Sequence, residues 1–241
     1  MNALSSRQTQ ILKALIDEYI ETALPVGSEA MDKKYNLGVS PATIRNEMAY
    51  LTKSGYLKQP HTSAGRVPTP TAMKFYVDQL MEEKSLSLAD EVKAKEEIWD
   101  VKDNLDKLMD EMTHSLAHRT GGIAVAATDD GDFWQAGYAN VFSHPEFSDI
   151  HTCSSIFEFI DNDEDMLDLF FNRFPIESPF EVLFAEEMGI KNFPVGIVAA
   201  HFKAKDKNGA LGVIGPVRQS YQRVVPTIRY YRDMLEELMR L

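Results

Sequence analysis

The chain has 241 residues, 44% of them apolar and 26% charged, enough to bury a sizeable core and, at this length, to form two domains. No run approaches the roughly 18 apolar residues of a membrane helix. The opening "MNALSSRQTQ" has no apolar signal-peptide core, and one cysteine, Cys153, excludes an internal disulfide framework and suits a reducing cytosol. The net charge of −12 argues against a nucleic-acid partner only until it is resolved along the chain. Residues 1–84 hold ten basic and nine acidic side chains, the remaining 157 hold fifteen and twenty-eight, and residues 28–66 hold six against three. A locally basic head on an acidic body is compatible with DNA, because phosphate attraction is screened beyond about 8–10 Å.

In chain order, Ser5-Ser6-Arg7-Gln8 fits a capping box, and Ile11, Leu12, Leu15, Ile16, Tyr19 and Ile20 follow at helical spacing. Leu24-Pro25-Val26-Gly27 stops that helix, and Ser28 is the expected N-cap of a second one running to about Tyr35. Gly38 can take the positive φ of a turn, Ser40 caps a third helix with Pro41 at its first position, and Gly55 closes it near Lys53. Tyr56 to Gln59 reads as a short strand, and His61 to Pro70 as a loop with a return strand at Arg66-Val67. Thr71 to Met81 reads as a helix. This order is that of a winged helix-turn-helix.

Residues 85–117 read as helical, and Ile98, Val101, Leu105, Leu108 and Met112 form a seam that packs within the domain or against a second copy. Segments 122–127, 133–142, 180–185, 194–204 and 209–215 read as strands, and about 149–160 and 163–172 as helices. An Asn208-Gly209 hairpin turn is expected before the last strand, and a closing helix from about Gln222 with Pro226 near its first turn. The expectation is an α+β fold in which an antiparallel sheet carries helices on one face. The expected organisation is a winged helix over 1–84, a connecting helix over 85–120 and a regulatory or dimerisation domain over 121–241.

On a helical wheel Ile44, Met48 and Leu51 cluster within about 60° and face a core. The opposite face carries Ala42, Asn46, Ala49 and Lys53, flanked by Thr43, Arg45 and Tyr50. It is short, polar and lets the backbone approach a surface closely, as a helix in the DNA major groove requires. There Asn pairs with adenine, Arg with guanine, and Thr and first-turn amides hold phosphate. The loop "PHTSAGRVP", rigid at Pro60 and Pro68 and flexible at Gly65, would place His61, Thr62, Ser63 and Arg66 over the neighbouring minor groove. The candidate DNA-binding set is Ser28, Ser40, Pro41, Ala42, Thr43, Arg45, Asn46, Tyr50, Lys53, His61, Thr62, Ser63 and Arg66.

"GVSPATIRNEMAYLTKSGYLKQPHTSAGRVPT", with "PVGSEAMDKKYNLGVS" before it and "FYVDQLM" after, resembles the signature of the heat-inducible transcription repressor family HrcA. "NVFSHPEFSD", "VLFAEE" and "LGVIGPVRQSYQRVV" resemble that family's GAF-like domain. The resemblance implies a bacterial, cytoplasmic, nucleoid-associated repressor that binds an inverted-repeat operator upstream of chaperone genes as a homodimer, with the chaperonin GroE maintaining its active fold. It carries the recognition helix onto Ser40 to Tyr50 and the wing onto His61 to Arg66. The family's inserted dimerising segment between the first GAF-like strand and "PEF" is missing here, so dimerisation would fall to the GAF-like domain, the 98–112 helix, or both. The family's Asp-Lys-Gly-Tyr-Arg after the wing is replaced by Pro70-Thr71-Ala72-Met73-Lys74.

Other chemistry is weakly signalled. His114 and His118 share i, i+4 spacing without a zincin glutamate, Asp129-Asp130-Gly131-Asp132 lacks the rest of a calcium loop, and no nucleophile elbow or phosphate-cradling glycine loop is present. No catalytic, metal or cofactor site is expected. The competing reading is a repressor controlled by a small effector, in which Phe133, Trp134, Tyr138, Phe142 and Phe202 line a pocket instead of a core; a third is thermal melting of the dimer itself.

Overall fold

Ser5 opens helix α1 (Ser6–Thr22) as a true capping box, accepting from Gln8 N–H at 3.3 Å while its own N–H donates to Gln8 Oε1 at 2.9 Å. The computed structural model describes residues 4–174, 178, 180–187, 193–204 and 207–240. They fall into two units, one ending at Glu82 and one starting at Glu83.

In the first unit α1 is followed by α2 (Ser28–Lys34) and α3 (Pro41–Lys53), and then by a two-stranded wing, β1 (Leu57–Lys58) and β2 (Val67–Pro68), paired antiparallel. α4 (Pro70–Phe75) continues into a wider π turn at Tyr76–Leu80, and Tyr76 Oη donates to Asp17 Oδ1 at 2.6 Å, tying this end back to α1. Leu12, Leu15 and Ile16 of α1, Met31 of α2, and Ile44 and Leu51 of α3 are all buried at 1% exposure or less. Each large aliphatic side chain so buried stabilises the unit by roughly 1.5–3 kcal/mol. Gly38 (φ +67°) and Gly55 (φ +84°) take the positive φ that their turns require.

The second unit does not contain one long connecting helix. α5 (Leu88–Trp99) and α6 (Leu105–Thr120) are separate helices, each with its own side-chain cap, Ser87 and Asn104. Ile98, Leu108 and Met112 of the expected seam are buried, but Val101 lies in the turn between the helices. The seam is therefore a packing surface inside the unit, against the sheet and against α9 (Tyr221–Arg240).

The sheet holds β3 (Ile123–Thr128), β4 (Phe133–Ala136), β5 (Glu181–Phe184), β6 (Val195–Ala204) and β7 (Lys207–Pro216), in the order β4-β3-β7-β6-β5, with every pairing antiparallel. Helices cover both faces, not one. Ile123, Val125, Ala127, Ile197 and Ala210 point into a core with Cys153, Ile156 and Ile160 of α7 (Ile150–Ile160), Met166 of α8 (Asp163–Leu167) and Phe170 of the π turn that follows. α6 and α9 lie against the sheet, and all six residues of β3 are buried. Small side chains such as Ala124, Ala126, Ala199 and Ala200 hide the two-sided burial from a reading that seeks apolar–polar alternation.

Two strand expectations are corrected. The expected strand over 133–142 ends at Ala136, where Gly137 (φ +87°) turns the chain into 3₁₀ turns at Tyr138–Ser143 and Pro145–Phe147. Asn208 and Gly209 pair with Lys203 and Phe202 inside the β6–β7 ladder and do not form its turn; the connecting residues 205–206 lie outside those described. Gly209 is there because the Phe202 ring occupies the space a Cβ would fill, 2.0 Å from Phe202 Cζ. Pro226 lies within α9, and Gln222 O, which cannot receive an N–H from Pro226, accepts one from Lys84 at 2.9 Å.

Candidate nucleic-acid interface

α3 begins with Ser40, whose hydroxyl accepts from Thr43 N–H at 3.3 Å and lies 3.1 Å from the Thr43 hydroxyl, with Pro41 at the first helical position. Ile44, Met48 and Leu51 face the core, so the helix can present only its other side. Ala42, Arg45, Asn46, Ala49, Tyr50 and Lys53 are exposed, Tyr50 at 41%. Among the described residues, Arg45, Asn46, Tyr50 and Lys53 make no side-chain hydrogen bond or ion pair, so their donors are available to a ligand. Glu47, the one acid on the helix, is turned toward α1, accepting from Gln8 Nε2 at 3.0 Å and lying 3.7 Å from Arg7. The acid that would repel phosphate is thus withdrawn from the open face.

The wing lies after this helix in the same unit. His61, Thr62 and Ser63 are exposed at its tip. Gln59 Nε2 donates to Thr62 O at 2.9 Å and Ala64 O at 3.0 Å, and Ala64 N–H donates to His61 O at 2.9 Å, so the tip is a shaped turn. Val26 and Arg66 exchange backbone hydrogen bonds of 2.9 and 2.8 Å, which adds the α1–α2 turn to the wing as a third rung.

Three expectations need correction. Ser28 is not an N-cap: Gly27 holds that position, and Ser28 sits inside the first turn at 6% exposure, leaving it little to offer a phosphate. Gly65 is no flexible point: a Cβ there would lie 2.4 Å from Val26 O, so glycine is required for the close approach of two backbones. Arg66 is half-buried, and its Nε donates to Thr52 Oγ1 at 3.1 Å, which makes it a strut between wing and α3. In the stretch that departs from the family pattern, Ala72 and Met73 are core residues of α4.

Sequence reasoning missed Gln59, Thr52 and Val26, which shape the interface without facing outward. No local pattern marks them, because each acts on a partner at the other end of a loop or in another element.

The remaining candidates lie elsewhere. His114 Nδ1 is 3.0 Å from Asp110 O, His118 is exposed, and no group of three or more His, Cys, Asp or Glu among the described residues is arranged to hold a metal ion. Asp130 pairs with Lys207 at 2.5 Å, and with Thr128 this holds its carboxyl below the usual range; Asp129 accepts from Asn208 Nδ2 at 2.8 Å. That loop is knitted to β7. The aromatics do not converge on one pocket: Phe202 is in the core, Trp134 donates to Asp106 at 2.8 Å, Phe133 and Tyr138 pack on the core, and Phe142 is 68% exposed. No helix among the described residues is long and apolar enough to cross a membrane.

Residues 3–82 match the family model described as the winged helix-turn-helix transcription repressor, HrcA DNA-binding, and residues 71–225 match that of the HrcA protein C-terminal domain. Among curated relatives, the chain is 48% identical over 113 residues to a heat-inducible transcription repressor HrcA of Acetivibrio thermocellus, covering 47% of this chain and 30% of that protein. It is 46% identical over 122 residues to the protein of that name from Carboxydothermus hydrogenoformans, covering 51% of this chain and 36% of that one. The chain spans about a third of the length of these relatives. A solved structure described as a hypothetical protein superposes with a TM-score of 0.76 at 18% identity, covering 98% of this chain and 99% of its own, and so shares the fold. With the two models together running from residue 3 to residue 225, the chain belongs to the HrcA family.

Proposed function

We propose that this protein is a transcription repressor of heat-shock genes that grips an inverted-repeat operator as a homodimer. One observation carries the proposal: α3 presents Arg45, Asn46, Tyr50 and Lys53, exposed and unpartnered among the described residues, in the same unit as a shaped polar wing. Arg and Asn are the side chains that read guanine and adenine edges in the major groove, while Ala42 and Ala49 keep the helix thin enough to enter it. Two copies would place their helices in successive major grooves about 34 Å apart, or a multiple of it. In this reading the chaperonin GroE maintains the active fold and the protein works in the bacterial cytoplasm on the nucleoid, as the resemblance to the repressor family implies; the relatives' description as heat-inducible transcription repressors supports the heat-controlled repression itself.

The test is binding of the whole chain to the family's inverted-repeat operator and to a scrambled duplex, at two salt concentrations, with and without chaperonin, with mass measured alongside. The expected outcome is selective binding by a dimer that chaperonin raises. A monomer indifferent to both duplexes would overturn the reading.

A further inference from the structure

Apart from the DNA-facing head, the second unit holds a polar cavity of about 280 Å³ among the chain before α5, the end of α6 and the start of α9. Its walls include Lys84, Ser85, Asp90, Arg119, Ser220 and Arg223. This unit is acidic overall, with sixteen basic against twenty-nine acidic residues over 83–241, yet the cavity is lined by three cations and one carboxylate, Asp90, with Glu97 paired behind Arg119. Such a local inversion focuses positive potential where the rest of the surface is negative.

Arg119 is the fixed element. Its side chain is only 10% exposed, and it is held on three sides: Nε donates to Tyr231 Oη at 2.8 Å, Nη1 to Asp90 at 3.3 Å and Nη2 to Glu97 at 3.3 Å. A guanidinium has five N–H donors, and these contacts leave donors over. Asp90 is itself occupied, taking the Ser87 hydroxyl at 2.7 Å. Ser87 first, and then the fields of Arg119 and Arg223, hold its carboxyl below the usual range. Lys84 and Arg223 are exposed and carry no side-chain partner among the described residues, and Ser85 and Ser220 add hydroxyls without one. α9 starts at the rim with no acid in its first turn, and its first amides add to the positive potential.

We infer that this cavity is a binding site for a small phosphorylated molecule, its phosphoryl group held by Lys84, Arg119 and Arg223. The volume lies at the lower edge of small-ligand pockets, room for a phosphoryl group and a short organic part. Two unpaired cations and a buried guanidinium lining one cavity with exposed hydroxyls suit a tetrahedral dianion better than a planar carboxylate, which a single Arg fork satisfies. The site stands independently of the DNA-binding reading. The ligand would be polar and anionic, unlike the aromatic-lined effector considered from sequence.

The experiment is calorimetric titration of the whole chain with glycerol 3-phosphate at constant ionic strength, with inorganic phosphate as competitor and malonate as the carboxylate control. The expected result is saturable binding, displaced by phosphate and not by malonate, and weakened about tenfold or more in a Lys84→Gln/Arg223→Gln variant, as loss of two charge-assisted contacts requires. Arg119 is left intact because the fold depends on its network, and an unchanged thermal midpoint checks the variant. No saturable binding, binding unaffected by the two substitutions, or equal competition by malonate would each overturn the assignment.

Discussion

Asn46 and Gly65 exert opposite kinds of control on the interface, and substitution separates them. Asn46 is exposed and makes no side-chain hydrogen bond among the described residues, so Asn46→Ala should leave the urea midpoint unchanged and cost roughly 1–3 kcal/mol of DNA affinity, confined to one base position. A panel of operator point variants checks this, and a uniform loss over all duplexes would count against base readout. Gly65→Ala drives a methyl to 2.4 Å from Val26 O and should destabilise the chain by about 1–3 kcal/mol by overpacking, visible in chemical unfolding without DNA. Arg66→Ala should lower stability by about 1 kcal/mol through the lost Thr52 contact. The outward residues of α3 were legible in the sequence because a helix wheel needs only the buried side to be known. Gly65 and Arg66 were misread because their roles are set by Val26 and Thr52, and single-segment periodicity carries no information about such pairs.

Among elements, helices were easier to read than strands. Ser5, Ser40 and Pro41 mark helix starts through bonds made within a few residues, and those caps formed. The sheet depends on partners far apart in sequence: β3 is buried on both sides and so shows no alternation, and Gly209 serves the Phe202 ring across the ladder. The α5–α6–α9 packing brings its own pH response. Tyr230 Oη donates to Glu91 O at 3.0 Å, and burial above all pushes its pKa to about 12; burial likewise raises Tyr231, against Ser115 and Arg119. The unfolded chain loses these protons near pH 10. The stability they contribute is therefore complete below pH 10 and lost as pH rises toward about 12. A pH series of thermal midpoints should fall across that window, and Tyr230→Phe should make the fall shallower. An identical slope in the variant would remove Tyr230 from the account.

For the whole molecule, charge is divided between a head with a balance of +1 and a body with −13, counted over 1–84 and 85–241. DNA affinity should therefore fall with salt according to the head's phosphate contacts alone, each adding about 0.9 to the logarithmic slope. Lys53→Ala should lower that slope by about one unit while leaving the preference for operator over scrambled duplex intact. A titration over several salt concentrations reads both quantities, and loss of preference with an unchanged slope would assign Lys53 to a base.

The strand order β4-β3-β7-β6-β5 places at the centre of the sheet the strand that is made last. On the ribosome, β3 and β6 expose open edges until residues 207–216 arrive between them, whereas everything the head needs is complete by residue 82. Synthesis therefore yields a finished head attached for a time to an unfinished body whose bare strand edges can pair with other chains. In refolding from denaturant the head should regain its signal first and the body in a slower phase, since the body's closure joins segments some eighty residues apart. The rate at which this one strand docks would then set how long a newly made chain carries two open edges that a neighbouring chain can seize.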